Sequence, residues 1–475
     1  MDKLIDFYEL TMAYTDFKND KMHEKCYFDV FFRKNLSEGG FNVACGLDDI
    51  IEMIENFGFD DKDINYLRSL KTFDEEFLEY LRNFRFRGDI YAVEDGTPIF
   101  PQEPIITVIG NAIETQLIET DLLNRFNHGC LIATKARRII NETKEKAVME
   151  FGARRAQGRD AAVFGAKFAY IAGVVGTSCY QAGKNYGIPI LGTMGHSHIM
   201  KYGSEYEAFL AYAKIFPNNS IFLVDTIDTL RSGVPNAIKV AHDYLIPNGY
   251  RLKGIRLDSG DLAYLSKQTR IMLDEANMQD CKISVSNSLD ERSIKDLLEE
   301  GAQIDAFGVG EKLITSKDDP VFDGVYKLAA LEKDGMIIPK IKVSETKAKL
   351  TNPGYKRLYR FYDKNTGYAL GDLIALADEV IPLDEYVLFD ENENWKQTKI
   401  SNYVVKELQV PIIKNGVTIY KVPTLDQRRA YCQSQIDTLY PEVLRINKAH
   451  NYYVDLSQAL LDLKRDLIYK STQQL

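Results

Sequence analysis

Between residues 132 and 330 the chain repeats one pattern: a short apolar, β-rich run, then a polar turn, then a helical segment. Six runs have this form, and they read AGVVGTS, IPILGT, SIFLVDT, KGIRLDS, KISVSN and IDAFGVG. Near-continuous apolar strands that alternate with helices predict a parallel sheet covered by helices. Because no glycine-rich dinucleotide fingerprint follows the first strand, the pattern favours a parallel α/β barrel over an open, doubly wound sheet.

The rest of the chain predicts two further regions around this barrel of residues 132–330. Residues 1–131 mix helical segments with β-rich runs punctuated by Gly and Pro, which predicts an N-terminal α/β domain. Residues 331–410 return to strand-like runs such as GMIIPKIKVS and are expected to complete that domain. Residues 411–475 include DLSQALLDLKRDLIYK and predict a C-terminal helical extension.

Charge, cysteine content and hydropathy exclude several classes of protein. A net charge of −10 argues against binding to nucleic acid or to an anionic membrane surface. The six cysteines form no C-x-x-C pair and are typical of scattered reduced thiols. The N-terminus lacks the features of a signal peptide, and the most apolar stretch, 161–176, is interrupted by Lys167 and too short to span a bilayer. We therefore expect a cytoplasmic protein with small-molecule substrates.

Polar residues follow the predicted strands where each strand ends. In a parallel barrel these ends meet on one face, which is where such barrels carry out their chemistry. The alternative is that Ser, Thr and Asp simply cap the next helix, although His, Arg and Asn are not all preferred caps. The residues in question are Thr177, Ser178, Thr193, His196, Asp225, Asp228, Arg256, Asp258, Asp261, Asn287, Gly308 and Gly310.

Three short motifs suggest which ligands this face binds. RLDSGD could hold a phosphate and a ribose diol or a magnesium-bound polyphosphate, although a surface ion pair explains it too. FGVGEKL offers unobstructed backbone amides to a phosphate, and a tight turn explains it equally well. EFGARRAQGRD places three arginines near Phe151, which suits an anionic planar ligand, or else the arginines cover a helix terminus.

The segment LGTMGHSHIM contains His196 and His198, which could be a metal pair, a nucleophile with a neighbour, or polar residues of a loop. A His-x-His pair after a barrel strand can bind zinc, so a metal-dependent hydrolase is one alternative. Further ligands would have to come from later strands, and the only later histidines, His242 and His450, do not lie at predicted strand ends. We therefore expect no metal site built from protein ligands alone.

Eight motifs in order make the chain resemble the nicotinate phosphoribosyltransferase family from Asp6 to the C-terminal tail. They read DFYELTMAY, VFFRKN, EFGARRAQG, GTMGHSHIM, IRLDSGDL, SNSLDE, FGVGEKL and VYKLAAL. The resemblance implies an irregular α/β barrel joined to a discontinuous α/β domain, and a homodimer with shared active sites. It also implies condensation of nicotinate with phosphoribosyl pyrophosphate, coupled to hydrolysis of ATP with Mg²⁺, in NAD biosynthesis or salvage.

The same resemblance assigns roles at the pyridine ring and at the phosphorylated residue. His196 matches the histidine that ATP phosphorylates, and the aspartates at 225, 228 and 258 could orient its far nitrogen. Phe151 matches the aromatic residue that stacks on one face of the ring, and Arg154 matches the arginine near its carboxylate. Tyr8 resembles the tyrosine that covers the other face from the neighbouring subunit. Ser178 stands where the nicotinamide-using sister family has an aspartate, which favours the acid over the amide.

The remaining matches concern the phosphoribosyl part of the substrate. Arg256 and Asp258 match phosphate and ribose contacts, and the glycines at 308 and 310 match the phosphate loop. Further expected substrate contacts are Thr193 and Asn287, and further expected polyphosphate binders are Arg33, Lys349 and Lys356.

The sequence departs from the family pattern in two places and leaves three alternatives. Glu311 stands where many relatives have a small hydroxyl residue, so its side chain should point away from the phosphate, and Gly195 replaces a commoner alanine. The alternatives are a sister enzyme that uses nicotinamide or quinolinate, the metal-dependent hydrolase, and a catalytically silent relative.

Overall fold

The computed structural model describes residues 3–344, 349–389, 395 and 397–473. By its internal contacts the chain divides into two units, Met1–Leu131 with Val321–Leu475, and Ile132–Pro320. The second unit ends before residue 330, the boundary expected from the sequence, because the strand Gly324–Lys333 pairs with Lys25–Phe32 in the first unit.

The strands are numbered in chain order. They are β1 (Lys25–Phe32), β2 (Asn42–Val43), β3 (Asp89–Val93), β4 (Pro98–Ile99), β5 (Ile106–Asn111), β6 (Ala147–Glu150), β7 (Gly176–Thr177), β8 (Ile221–Leu223), β9 (Gly254–Leu257), β10 (Lys282–Ser286), β11 (Ala306–Val309), β12 (Gly324–Lys333), β13 (Met336–Pro339), β14 (Lys356–Asp363), β15 (Ala369–Leu376), β16 (Glu385–Phe389), β17 (Gln397–Ser401), β18 (Tyr403–Glu407), β19 (Gln409–Lys414), β20 (Val417–Thr418) and β21 (Val454–Leu456).

The α-helices are numbered in the same way. They are α1 (Phe7–Lys18), α2 (Leu47–Asn56), α3 (Asp61–Ser69), α4 (Glu75–Arg82), α5 (Ala112–Gln116), α6 (Glu119–Asn141), α7 (Arg159–Ala172), α8 (Tyr180–Tyr186), α9 (His196–Ile199), α10 (Glu205–Ile215), α11 (Val234–Val240), α12 (Leu262–Glu275), α13 (Glu291–Glu299), α14 (Glu311–Ile314), α15 (Leu425–Ile436) and α16 (Gln458–Gln473). None of the helices in the described part of the chain combines the length and the apolar composition that a bilayer crossing requires.

The second unit is built on a parallel sheet with the strand order β7-β6-β11-β10-β9-β8. Every neighbouring pair in this order is parallel, and a parallel bridge from Thr177 to Ile190 extends the sheet beyond β7. The hydrogen-bonded ladder therefore runs from Ile190 to β8, and no strand pairing among the described residues crosses the gap between these two edges. The predicted α/β class, the parallel strands and a C-terminal helix are confirmed.

Two of the strand predictions in this unit need correction. The run IPILGT forms only the single bridge at Ile190, because residues 191–195 leave the sheet as a loop. The strand β6, in the middle of the sheet, was not predicted because its four residues, AVME, are too few to show a period. The five other strands, β7 to β11, lie within the expected runs, and apolar side chains such as Ile255, Val285 and Phe307 are fully buried.

The first unit takes its main sheet from both ends of the chain, in the order β13-β12-β1-β5-β3-β19-β20. A second sheet has the order β18-β14-β15-β21. Residues 411–475, expected to be helical, thus contain α15 and α16 but also β20, β21 and most of β19. The strand pair β19–β20 turns at Asn415 and Gly416, both at positive φ, which is the Asn-Gly hairpin signal that the helical interpretation overlooked.

A buried ion pair joins β14 and β15 in the first unit. Arg360 and Asp372 are cross-strand partners with no exposed side-chain surface. The guanidinium donates from Nε and Nη2 to the two carboxylate oxygens at 2.7 and 2.6 Å, and Nη2 also donates to the carbonyl of Pro98 at 2.9 Å. The Tyr452 hydroxyl donates to the same carboxylate at 2.8 Å. Removal of one partner would leave an unpaired charge in the core.

We predict that Asp372→Ala lowers the free energy of unfolding by about 3–5 kcal/mol, because Arg360 would remain buried without its counterion. The control is Glu385→Ala, which removes a pair with Lys399 whose side chains are 52% and 63% exposed. Such a pair contributes at most about 1 kcal/mol. Urea unfolding of both variants measures the difference, and equal losses in the two would contradict this account.

Candidate active site

The strand ends of the parallel sheet surround a cavity of about 690 Å³ in the second unit. Ten residues expected from the sequence line it: Phe151, Arg154, Ser178, Thr193, His196, Arg256, Asp258, Asn287, Gly308 and Gly310. Residues that the sequence analysis did not assign to the site also line it, namely Arg155, Gly192, Met194, Gly195, Ser197, Ser286, Ser288 and Glu311. Residues in or directly after β6, β7, β9, β10 and β11 therefore meet at one place, as the parallel arrangement requires.

The ring of Phe151 lies directly against the backbone of Gly308. A Cβ built on Gly308 would stand 2.6 Å from ring carbons Cδ2 and Cε2, closer than any real contact. The Phe151 amide donates to the carbonyl of Val309 at 2.7 Å, which fixes the aromatic residue to β11. The Phe151 ring can therefore occupy this position only because residue 308 has no side chain. This requirement is independent of any contact between the glycine and a phosphate.

Glu150, which the sequence analysis did not single out, connects the ends of β6 and β7. Its carboxylate accepts from the Thr177 hydroxyl at 2.5 Å and from the amide of Gly152. Its carbonyl accepts from the amide of Ser178 at 2.9 Å. The side chain is fully buried, and this burial raises the pKa of Glu150, while the two hydrogen bonds lower it.

His196 begins α9 and reaches across the gap in the sheet to Asp225, after β8. Its Nε2 lies 3.2 Å from Oδ1 of Asp225, and the histidine side chain is 40% exposed while the aspartate side chain is 2% exposed. The second oxygen of Asp225 accepts from the Ser259 hydroxyl at 2.6 Å. The carboxylate is thus held on one side and presents its other oxygen to the imidazole.

The two other aspartates expected beside His196 have different partners. Asp228 accepts from the amides of Leu230 and Arg231 at 3.1 and 2.8 Å, so it caps the π-helical turn Thr229–Gly233. Asp258 lines the cavity and accepts from the Ser286 hydroxyl. Asp225 is therefore the aspartate of the three for which the structure has a contact with the imidazole.

Arg256 makes a second connection across the gap. Its guanidinium donates to the Thr193 hydroxyl at 3.2 Å and to the Met194 carbonyl at 3.0 Å, both in the loop that leaves the sheet at Ile190. Burial lowers the pKa of Arg256, and the nearby carboxylates of Asp258 and Asp225 oppose that shift. An arginine side chain keeps its charge despite such a shift, so Arg256 is a cation in the cavity wall.

Arg154 and Arg155 lie in a short 3₁₀ turn directly after Phe151. Arg155 approaches Glu311 at 3.7 Å, and Glu311 also pairs with Lys317 at 2.6 Å. These two cations hold the carboxylate of Glu311, which is one of the residues that line the cavity. Its side chain was expected to point away from a bound phosphate. His198 packs between Tyr202 and Tyr212, at ring distances of 5.2 and 6.2 Å.

Four expected binders belong to the first unit instead. Tyr8 lies on α1 with 46% of its surface exposed, and Lys349 is exposed. Arg33 has a 17% exposed side chain and approaches Asp323 at 3.8 Å. The Lys356 ammonium is 2% exposed and pairs with Asp29 at 2.7 Å, so within the described chain its charge is already neutralised.

Comparison with known proteins places this chain in a family. Residues 4–127 match the nicotinate phosphoribosyltransferase N-terminal domain, residues 146–357 the nicotinate phosphoribosyltransferase family, and residues 355–464 the C-terminal domain of the same enzyme. The nicotinate phosphoribosyltransferase of Bacillus subtilis is 42% identical over 468 residues, which covers 98% of this chain and 94% of that protein. The human protein of that name is 30% identical over 526 aligned residues, covering 98% and 96%.

A solved structure agrees with the sequence comparisons. The crystal structure of human nicotinic acid phosphoribosyltransferase superposes with a TM-score of 0.85 at 28% identity, covering 98% of this chain and all of that one. The fold and the cavity define a phosphoribosyltransferase of mixed α/β architecture. The chain belongs to the nicotinate phosphoribosyltransferase family.

We predict that Gly308→Ala displaces the Phe151 ring and costs about 1–3 kcal/mol of stability, because the new methyl group overlaps the ring edge. The control is Gly192→Ala in the same cavity wall, where no described atom lies within 4 Å of the added carbon. Urea unfolding and crystal structures of both variants measure the effect. An unmoved ring and unchanged stability in Gly308→Ala would contradict the packing described here.

Proposed function

We propose that this protein condenses nicotinate with phosphoribosyl pyrophosphate to give nicotinate mononucleotide and pyrophosphate. In this reaction the pyridine nitrogen forms a bond to C1 of the ribose, and the bond from C1 to the pyrophosphate oxygen breaks. The observation that carries the proposal is the Phe151 ring, seated on Gly308 with arginines beside it, in the cavity where the strand ends meet. An aromatic face next to cations suits a planar anion.

The base end of the cavity explains a preference for the acid over the amide. Phe151 would stack on the pyridine ring, Arg154 would pair with its carboxylate, and the Ser178 hydroxyl would donate a hydrogen bond to it. A carboxylate at position 178 would repel nicotinate but accept from the amide of nicotinamide. In the proposed homodimer, Tyr8 of the partner subunit covers the second face of the ring. Its exposure on α1 supports that role.

The phosphoribosyl end lies along β9, β10 and β11. Arg256 supplies a cation for a phosphate, and Asp258 supplies acceptors for the ribose hydroxyls. Thr193 and Asn287 line the same wall, and the backbone at Gly308 and Gly310 leaves room for a phosphate. Arg33, Lys349 and Lys356 remain predicted polyphosphate binders, and the burial of Lys356 against Asp29 weighs against it.

His196 is the proposed site of phosphorylation by ATP. An ionised carboxylate can only accept, so the contact with Asp225 supports the tautomer that carries the proton on Nε2. Nδ1 then holds the free lone pair and attacks the terminal phosphorus of ATP, and ADP leaves. Asp225 stabilises the positive charge that develops on the ring. The phosphohistidine raises affinity for phosphoribosyl pyrophosphate, and its hydrolysis drives the overall reaction forward.

Mg²⁺ would arrive with the polyphosphates of ATP and of phosphoribosyl pyrophosphate. In the described residues no group of three or more His, Cys, Asp or Glu side chains is placed to hold a metal ion. Mg²⁺ commonly keeps several waters and is bound by substrate phosphates together with one or two carboxylates. Within the cavity, Asp258 offers a carboxylate to such a complex.

We further propose that the enzyme acts in the cytoplasm and contributes to NAD biosynthesis. All six cysteines are buried free thiols, a state that suits a reducing compartment. The product, a pyridine mononucleotide, is a direct precursor of a dinucleotide.

The test of the proposed function is release of pyrophosphate from phosphoribosyl pyrophosphate with nicotinate or nicotinamide as acceptor. We predict a higher kcat/KM for nicotinate. In Ser178→Asp the KM for nicotinate should rise at least about tenfold, because juxtaposed like charges cost several kcal/mol. Ser178→Ala serves as control, since it removes the hydroxyl without adding charge. A wild-type preference for nicotinamide would refute the assignment.

We predict that His196→Ala lowers ATP hydrolysis by about 10³-fold or more, as loss of a nucleophile does, and leaves slow transfer without ATP. The control is His198→Phe, which keeps an aromatic ring between Tyr202 and Tyr212 and should retain coupling. Assays of ADP and mononucleotide formation, with and without ATP, measure both. Coupling that survives in His196→Ala would disprove the phosphohistidine mechanism.

A further inference from the structure

We propose that Glu150 and Thr177 are positioning residues that hold the two sides of the nicotinate subsite at a fixed separation. This inference rests on the proposed function, because it concerns the side chains assigned there to the pyridine ring. Phe151 follows Glu150 on one strand end, and Ser178 follows Thr177 on the neighbouring one. The pair therefore stands directly behind the ring platform and the hydroxyl that would bind the substrate carboxylate.

Glu150 contacts both sides of the subsite through separate atoms. Glu150 and Thr177 are parallel neighbours in the register of β6 and β7. One carboxylate oxygen accepts from the Thr177 hydroxyl at 2.5 Å, and the other accepts from the amide of Gly152, directly after Phe151. The Glu150 carbonyl accepts from the Ser178 amide at 2.9 Å. A shift of either strand end would break one of these bonds.

Thr177 is central to this arrangement because its hydroxyl makes two hydrogen bonds. It donates to Glu150, and it accepts from the amide of Cys179 at 2.9 Å. The residues on both sides of Ser178, Thr177 and Cys179, are thus held in place by hydrogen bonds. Gly152 allows the matching turn on the other side, since a Cβ there would stand 2.6 Å from side-chain carbons of Ile314.

Burial of the Glu150 carboxylate carries a desolvation penalty that an apolar side chain at the same position would not have. Glu150 and Thr177 are both fully buried, and burial raises the pKa of Glu150. An aliphatic side chain would fill the space without desolvating a charge. The two carboxylate oxygens of Glu150 accept separately from the Thr177 hydroxyl and from the Gly152 amide, so each strand end has its own acceptor.

The pair acts on the base subsite and not on the phosphoribosyl end. Among the described residues, the hydrogen bonds of these two side chains go to each other, to Gly152 and to Cys179, and not to Arg256 or Asp258. Loss of the pair should therefore weaken binding of nicotinate selectively. A residue with a merely structural role would alter both substrates or neither.

The decisive experiment compares Thr177→Val, which keeps the shape but removes the hydroxyl, with Thr177→Ser, which keeps the hydroxyl. KM values for nicotinate and for phosphoribosyl pyrophosphate are measured in each, with ATP present, along with the wild type. In Thr177→Val we expect the KM for nicotinate to rise about tenfold, on the order of one lost hydrogen bond to a charged acceptor. The KM for phosphoribosyl pyrophosphate should stay within about twofold, and Thr177→Ser should restore the KM for nicotinate.

A second variant keeps the inference testable if Thr177→Val does not fold. Glu150→Gln retains the size of the side chain but lacks the second carboxylate oxygen, and we expect the same selective rise in the KM for nicotinate. Equal KM values for nicotinate in all variants, or parallel rises for both substrates, would overturn this inference alone. A wild-type enzyme that forms no product with nicotinate would overturn the proposed function, and this inference with it.

Discussion

Arg256 connects the two edges of the parallel sheet, between which the described residues form no backbone ladder. The strands β8 and β9 end on one side of the gap, and the loop at Thr193 and Met194 lies on the other. The guanidinium of Arg256 and the contact between His196 and Asp225 cross that gap with side chains. Thr193, Met194, His196 and Arg256 also line the cavity, so the side chains that cross the gap form part of the cavity wall.

The electrostatics of the site differ from those of the whole chain. The protein carries a net charge of −10, yet Arg154, Arg155 and Arg256 line one cavity. The cavity of an acidic protein can therefore be locally basic, which suits anionic ligands. The buried carboxylates at 150 and 225 accept from hydroxyl or amide donors, and neither is among the residues that line the cavity.

The alternation of strands and helices predicted the parallel sheet and most of the cavity wall, because the carboxyl ends of parallel strands converge whatever the exact bounds of each strand. It missed β6, whose four residues show no period, and the hairpin at Asn415, whose turn signal lay in a tail interpreted as helical. Asp228 follows the same strand as Asp225 but caps a turn. Which of the two roles an aspartate takes depends on the local backbone conformation, which the sequence does not show. Glu150 was invisible to sequence reasoning because its role arises from the register between two strands.

A crystal structure of the protein with nicotinate mononucleotide tests the central claim most directly. If the strand ends of the parallel sheet form one binding pocket, the pyridine ring will lie on Phe151 and the phosphate will contact the cavity wall that contains Arg256 and Gly310. Density for the mononucleotide at a place remote from these three residues, with the cavity empty, would contradict the account.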